Sequence, residues 1–127
     1  MHLHGELLKV RSTKNPLYIL DWQEDLNFGD LDENKNQLRP HIVWFGEIVP
    51  EMESAVMIAK EADIFLIIGT SMQVYPAAGL VDDVPANCEI FVIDPHLENI
   101  YGKDGHFFKD LATAGMKKLK EILIKKE

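Results

Sequence analysis

The chain has 127 residues, 46% of them hydrophobic, enough to bury the core of one compact domain. A formal net charge of -8 and a pI near 5.0 exclude a general nucleic-acid binder, which needs a basic face. No apolar run is long enough to span a bilayer, and the first residues lack the apolar core of a signal peptide, so a cytoplasmic protein is expected.

Leu3 to Val10 reads as a strand or extended segment with His4-Gly5 inside it. From Ser12 to Gln37 the pattern dissolves into Asn, Asp, Gly and Pro, with scattered Leu, Tyr, Trp and Phe. That composition predicts a loop-rich excursion or small subdomain, because the aromatics want burial. His41 to Phe45 restores a strand, ended by Gly46. Pro50 then opens a helix with Glu51 and Glu53 in its positive first turn and Met52, Val56 and Ala59 on its inner face.

The run Ile64 to Ile68 predicts a central strand buried on both faces, stopping at Gly69-Thr70-Ser71. Pro76 to Val81 reads as a short helix behind that turn. Cys88, the only cysteine, permits neither an internal disulfide nor a thiolate zinc site, and reads as a small buried side chain. Ile90 to Ile93 is another buried strand, ended by Asp94-Pro95. Thr113 is expected to cap a last helix whose apolar face holds Met116, Leu119 and either Ile122 or Leu123. The lysines from Lys117 to Lys126 suit its carboxyl end.

Strands alternating with helices predict an α/β fold with a parallel sheet. Such sheets place nucleotide ligands at the carboxyl ends of their strands, where exposed amides and the Thr70 and Ser71 hydroxyls can bond phosphate or ribose oxygens. A doubly wound nucleotide domain has two βαβαβ halves; this inventory makes roughly one, and no G-x-G-x-x-G loop precedes it. His2 and His4 suggest a metal pair, but no third ligand has convincing spacing, and no metal is expected.

Three motifs occur in order: His4-Gly5-Glu6-Leu7, LRPHIVWFGE from Leu38 to Glu47, and GTSMQVYPAAG from Gly69 to Gly79. Together they resemble the second half of a sirtuin, an NAD-dependent protein lysine deacylase, and the RPH-x-VWFGE wording is similar to that of the class III subgroup. The resemblance implies a parallel-sheet half of a Rossmann-like fold, with residues 12–37 as a small insertion. It implies that His4 is the general base, a role that suits imidazole because its ordinary pKa lies near working pH. It implies that Gly69, Thr70, Ser71, Asp94, Pro95, His96 and Ala112 bind NAD. It also implies that Val43, Phe45, Gly46 and Glu47 on one side, and Met72, Val74 and Tyr75 on the other, hold the acyl-lysine peptide. The expected products are nicotinamide and O-acyl-ADP-ribose.

Two departures from that family limit the carry-over. Sirtuins usually hold zinc with four cysteines between the His-Gly and VWFGE motifs; this interval has none, and Ser12 stands where the first is expected. Tyr18, Trp22 and Phe28 are therefore expected to hold the subdomain together. The family's Gly-Ala-Gly loop and its Asn-Asp pair are also absent, so the sequence reads as a truncated, C-terminal half, inactive alone. Its partner is then a missing N-terminal half or a second copy covering an open apolar edge. The alternative function is a non-catalytic nucleotide- or peptide-binding half-domain that self-associates.

Overall fold

The computed structural model describes residues 1–96, 99–100 and 102–125; Lys126, the last of the lysine cluster, lies outside them. The chain divides into two compact units, Met1–Glu51 and Met52–Glu127.

The first unit is built on β1 (Gly5–Ser12), β2 (Ile19–Asp21) and β3 (Leu38–Ile42), an antiparallel sheet in the order β2-β1-β3. Ser12 pairs with Leu38 and Arg11 with Arg39, yet Gly5 pairs with Ile42. Four residues of β1 thus oppose His41 alone between Val10↔Pro40 and Gly5↔Ile42, a wide bulge. Pro40 has no N–H to give a ladder, and its place beside the bulge on an edge strand removes the need for one. The strand expected over His41–Phe45 therefore begins and ends earlier. Its pairing with β1 starts at Leu38, and the chain is already turning at Trp44. Nor does it join the parallel sheet.

Little apolar mass is buried in this unit: Val10, Leu38 and Val49 are its core. Of the aromatics expected to hold the unit, Tyr18 and Trp22 are half-buried, but Phe28 is fully exposed (100%) and holds nothing. Two buried polar side chains, Ser12 and Asp32, take its place.

The second unit runs α1 (Met52–Ala59), β4 (Ile64–Ile68), a 3-10 helix over Ala77–Asp82, β5 (Glu89–Ile93), β6 (His106–Phe108) and α2 (Ala112–Ile124). Its strands form a parallel sheet in the order β4-β5-β6. The strand buried on both faces is β5, not β4. Ile90 and Val92 enter one core with Ala59, Ile67, Val81, Val84 and Ile100, while Phe91 and Ile93 enter another with Leu119. On β4 only Ile67 is buried; Ile64, Leu66 and Ile68 are 46%, 37% and 39% exposed, because β4 is an edge strand.

Helix α1 turns Met52, Val56 and Ala59 inward as its spacing predicts. Helix α2 buries Gly115 and Leu119 and packs Leu123, four residues apart each time, whereas Met116 stays exposed. Its N-cap is Leu111 with no side-chain bond, so Thr113 lies inside the helix and does not cap it. Cys88 is half-buried against the first core, which pushes its thiol pKa up. Among the described residues no helix is long and apolar enough to cross a membrane.

Candidate functional site

In the first unit the His-Gly motif and the VWFGE motif meet through the backbone. The Val43 N–H donates to the His4 carbonyl at 3.0 Å, one step beyond the Gly5↔Ile42 pair. His4 is exposed at the start of β1, and Gly5 lies with φ of +87° against the His41 carbonyl. Behind this join is a small pocket of about 50 Å³, whose walls include Leu3, Gly5, Arg11, His41 and Val43. The His41 Nδ1 is buried there with no hydrogen-bond partner among the described residues, and burial pushes the imidazole pKa down.

Residues 44–47 close a turn, the Glu47 N–H donating to the Trp44 carbonyl at 3.1 Å. Gly46, at φ of +87°, occupies the position where a type II turn requires a positive value. The Glu47 carboxylate then folds back on the turn and accepts from the Trp44 N–H at 3.0 Å. Arg39 grips it with both terminal nitrogens, Nη1 to Oε1 at 2.5 Å and Nη2 to Oε2 at 3.1 Å, and Arg11 Nη2 reaches Oε2 at 3.4 Å. Both guanidiniums also donate to the Ile42 carbonyl, at 3.3 and 3.4 Å. The Arg39 bond, with help from the Trp44 N–H, holds the Glu47 carboxyl pKa down at about 2. Its pairing thus persists through the pH range where an ordinary glutamate, near 4.5, takes up a proton, and is lost only as pH falls through about 2. Sequence reading placed Glu47 on the peptide and missed Arg11 and Arg39; the signal for Arg39 lay in the Arg-Pro-His that precedes the turn, whereas nothing local marks Arg11, which reaches Glu47 only through the pairing of β1 with β3.

The zinc that sirtuins usually hold does not fit the residues present. The loop from Ser12 to Gln37 offers a hydroxyl, amides and carboxylates but no thiolate, and among the described residues no cluster of three His, Cys, Asp or Glu could hold a metal. Hydrogen bonds fill the place. Asp32, only 7% exposed, accepts at Oδ1 from the Asn34 N–H (2.9 Å) and the Asn36 N–H (2.8 Å), and the Asn36 side-chain amide donates to both its oxygens. Ser12 Oγ accepts from the Lys14 and Asn15 N–H groups, and the Gln37 side chain ties Asn27, Gly29, Asp30 and Leu38 together.

The Ser12 hydroxyl and the Asn36 donors hold the Asp32 carboxyl below its usual 3.8. Its contribution to stability is therefore full above that value and lost as pH falls below it. Asp32→Ala is expected to lower the melting midpoint by roughly 5 °C, since it strands buried N–H groups. A chelator is expected to leave the parent's midpoint unchanged. A chelator-sensitive melt followed by circular dichroism, or an Asp32→Ala melt identical to the parent, would contradict this account.

In the second unit the expected nucleotide-binding residues gather at one edge of the parallel sheet, the carboxyl ends of its strands. Gly69-Thr70-Ser71 leaves β4, Asp94-Pro95-His96 leaves β5, and Ala112 begins α2 four residues after β6. The Gly69 N–H donates to the Ile93 carbonyl at 3.0 Å, which ties the first turn to the residue before Asp94. Thr70 Oγ1 accepts from the Met72 N–H at 3.1 Å, and Asp94 Oδ1 from the His96 N–H at 2.8 Å. The Asp94 N–H donates to Phe108 of β6 at 3.2 Å. Amides, hydroxyls, a carboxylate and a helix N-terminus at the carboxyl edge can bind sugar and phosphate oxygens. Met72 and Tyr75 line an open cleft of about 410 Å³ with Ser71, Asp82 and Asn99. Val74 and Tyr75 are exposed, 49% and 72%.

Residues 1–76 match the sequence profile of the Sir2 family. A Helicobacter pylori protein named NAD-dependent protein deacylase is 52% identical over 101 residues, covering 80% of this chain and 44% of that protein. A Bacteroides thetaiotaomicron protein of the same name is 46% identical over an alignment of 131 positions, covering 98% and 56%. The chain thus spans about half the length of the curated relatives it matches. A solved complex of a Sir2 homologue with NAD superposes with a TM-score of 0.82 at 29% identity, over 98% of this chain and 50% of that one. A Sir2 protein bound to a propionylated peptide shares the fold, with a TM-score of 0.72 at 19% identity over 94% and 54%. Motifs, fold and relatives agree: the chain belongs to the Sir2 family.

Proposed function

We propose that this chain carries the general base, the peptide-pairing turn and the adenosine end of the nucleotide site of an NAD-dependent protein lysine deacylase. The observation that carries the reading is the Val43 N–H bond to the His4 carbonyl, which joins the candidate base to the candidate peptide turn. NAD, when bound, supplies the ADP-ribosyl group that accepts the acyl chain and leaves nicotinamide behind. On this chain, the Ser71 amide, the Thr70 hydroxyl and the Asp94–His96 turn hold ribose and phosphate oxygens, Gly69 lets the backbone approach them, and Ala112 leaves room for the base. His4 takes the proton from a sugar hydroxyl. Val43, Phe45 and Gly46 pair with the substrate backbone and flank the acyl-lysine stem, and Met72, Val74 and Tyr75 are further contacts to the peptide. The substrate is an acylated lysine in a protein or peptide, and the setting is the cytoplasm.

The exposed edge of β4 favours a second partner: an amino-terminal half that adds strands beside Ile64–Ile68, or a second copy of this chain. The test mixes this chain, an acetyl-lysine peptide and NAD, with and without the amino-terminal part of the Helicobacter pylori relative. Nicotinamide release is expected only when both polypeptides are present, falling roughly 10²- to 10⁴-fold for His4→Ala. No release from the mixture, or release indifferent to His4→Ala, would sink the enzyme reading. Self-association with nucleotide or peptide binding would then mark a non-catalytic half-domain.

A further inference from the structure

We infer that Glu47, Arg39 and Arg11 form a positioning clamp that presets the turn 43–46 for an extended peptide, and that Glu47 is not itself a substrate ligand. The inference rests on the deacylase reading only for what the turn grips. Exposed ion pairs contribute little as a rule, so geometry has to decide whether this one matters. Three features separate it from an ordinary surface pair. The carboxylate accepts from a planar fork and from the Trp44 backbone N–H, so it reads the turn's conformation as well as its charge. The two guanidiniums come from different strands, β1 and β3, and both also hold the Ile42 carbonyl, the last of β3. Arg11 is the less exposed of the two, its side chain 13% accessible.

The turn itself is apolar and stands in water. Phe45 is 94% exposed and Trp44 53%, with the Arg39 guanidinium carbon 6.0 Å from the Trp44 ring centroid. A segment that buries so little has no packing to fix its backbone, and an unfixed turn must be ordered each time a peptide docks. The clamp supplies that order in advance through bonds to Trp44 and Ile42. Peptide affinity, not the chemistry, is what it sets. Both Glu47 oxygens are occupied by the chain's own donors, which leaves recognition to Val43, Phe45 and Gly46.

Amide hydrogen exchange on the full chain reads the clamp directly. Glu47→Gln is expected to speed exchange at the Trp44 and Glu47 amides by roughly tenfold, the loss of one charge-assisted bond, while Val92 in β5 and Arg11 in β1 stay as protected as before. Arg39→Lys keeps the charge but loses the fork, and should fall between Glu47→Gln and the parent. In the two-polypeptide assay Glu47→Gln should raise KM for the peptide several-fold, with kcat and KM for NAD unchanged. Unaltered exchange at Trp44, or faster exchange with an unaltered peptide KM, would overturn the clamp. Should the parent release no nicotinamide, the deacylase reading fails alone. Exchange at Trp44 still decides the clamp, and movement of the Val43–Gly46 amide resonances on adding acetyl-lysine peptide decides its purpose: no difference between parent and Glu47→Gln would overturn it.

Discussion

Gly5→Ala is expected to unfold the unit Met1–Glu51 at temperatures where the parent is intact. A Cβ at Gly5 would lie 2.0 Å from the His41 carbonyl oxygen, 2.8 Å from its carbon and 2.9 Å from the Ile42 Cα. All three are backbone atoms, so no rotamer change relieves the overlap. The φ of +87° adds a conformational cost of its own. The sum is at least about 3–4 kcal/mol, large against the stability of a small unit whose buried apolar residues are Val10, Leu38 and Val49.

Gly29→Ala is the control. Its φ is +103° but a Cβ there meets nothing within 4 Å, so it should cost only the conformational strain, about 1–3 kcal/mol. Thermal melts of the two variants separate close approach from conformational penalty. Because His4 and Val43 bond one residue further along the same pair of strands, Gly5→Ala should also abolish the nicotinamide release proposed for the two-polypeptide mixture. A Gly5→Ala melt no lower than that of Gly29→Ala would show that β1 and β3 can separate at no cost, and the join between base and peptide turn would lose its structural basis.

The same pair of strands shows what the sequence could and could not disclose. The order of the His-Gly, VWFGE and Gly-Thr-Ser motifs carried the family, and it was enough to expect Gly69-Thr70-Ser71 and Asp94 at strand ends, where the structure has them. Helix α1 was legible for a similar reason: Met52, Val56 and Ala59 keep one spacing on one face. Burial of β4 was not legible. Ile64 to Ile68 is as apolar as Ile90 to Ile93, and the difference between edge and centre lies in which strands pair, a non-local fact. Strand β3 slipped because its apolar run points past Ile42, while pairing to β1 draws in Leu38, Arg39 and Pro40. Strand β6, three residues long after a glycine, is too short for a periodic signal. The polar staple around Asp32 was not legible within the expected loop-rich subdomain, since nothing in DLDENKNQ tells which carboxylate turns inward.

Helix α2 and strand β5 are expected to behave as a matched pair of one small and one large residue. A Cβ on Gly115 would lie 2.3 Å from Ile93 Cγ2, with Cγ1 and Cβ at 3.2 and 3.3 Å. Ile93 is fully buried beside Phe91 and Leu119, with Phe108 and Leu123 packed on them, so it cannot swing aside cheaply. Gly115→Ala should gain about 1 kcal/mol of helix propensity and lose more to overpacking, for a net destabilisation of roughly 1–2 kcal/mol. Ile93→Ala alone should cost about 2–4 kcal/mol by leaving a cavity. The double variant should cost at least about 1 kcal/mol less than the two added together, because the new methyl enters the space the old one left.

Denaturant unfolding of the four proteins measures the coupling, and costs that add within about 0.5 kcal/mol would refute the packing account. The pair also bears on the site. Ile93 precedes Asp94, and Gly115 sits one turn into the helix that begins at Ala112, so their contact sets the distance between two of the groups assigned to the nucleotide. Gly115→Ala at a temperature where the chain is folded should therefore weaken the proposed NAD binding in the two-polypeptide mixture, while leaving exchange at Trp44 and Glu47 in the other unit unchanged.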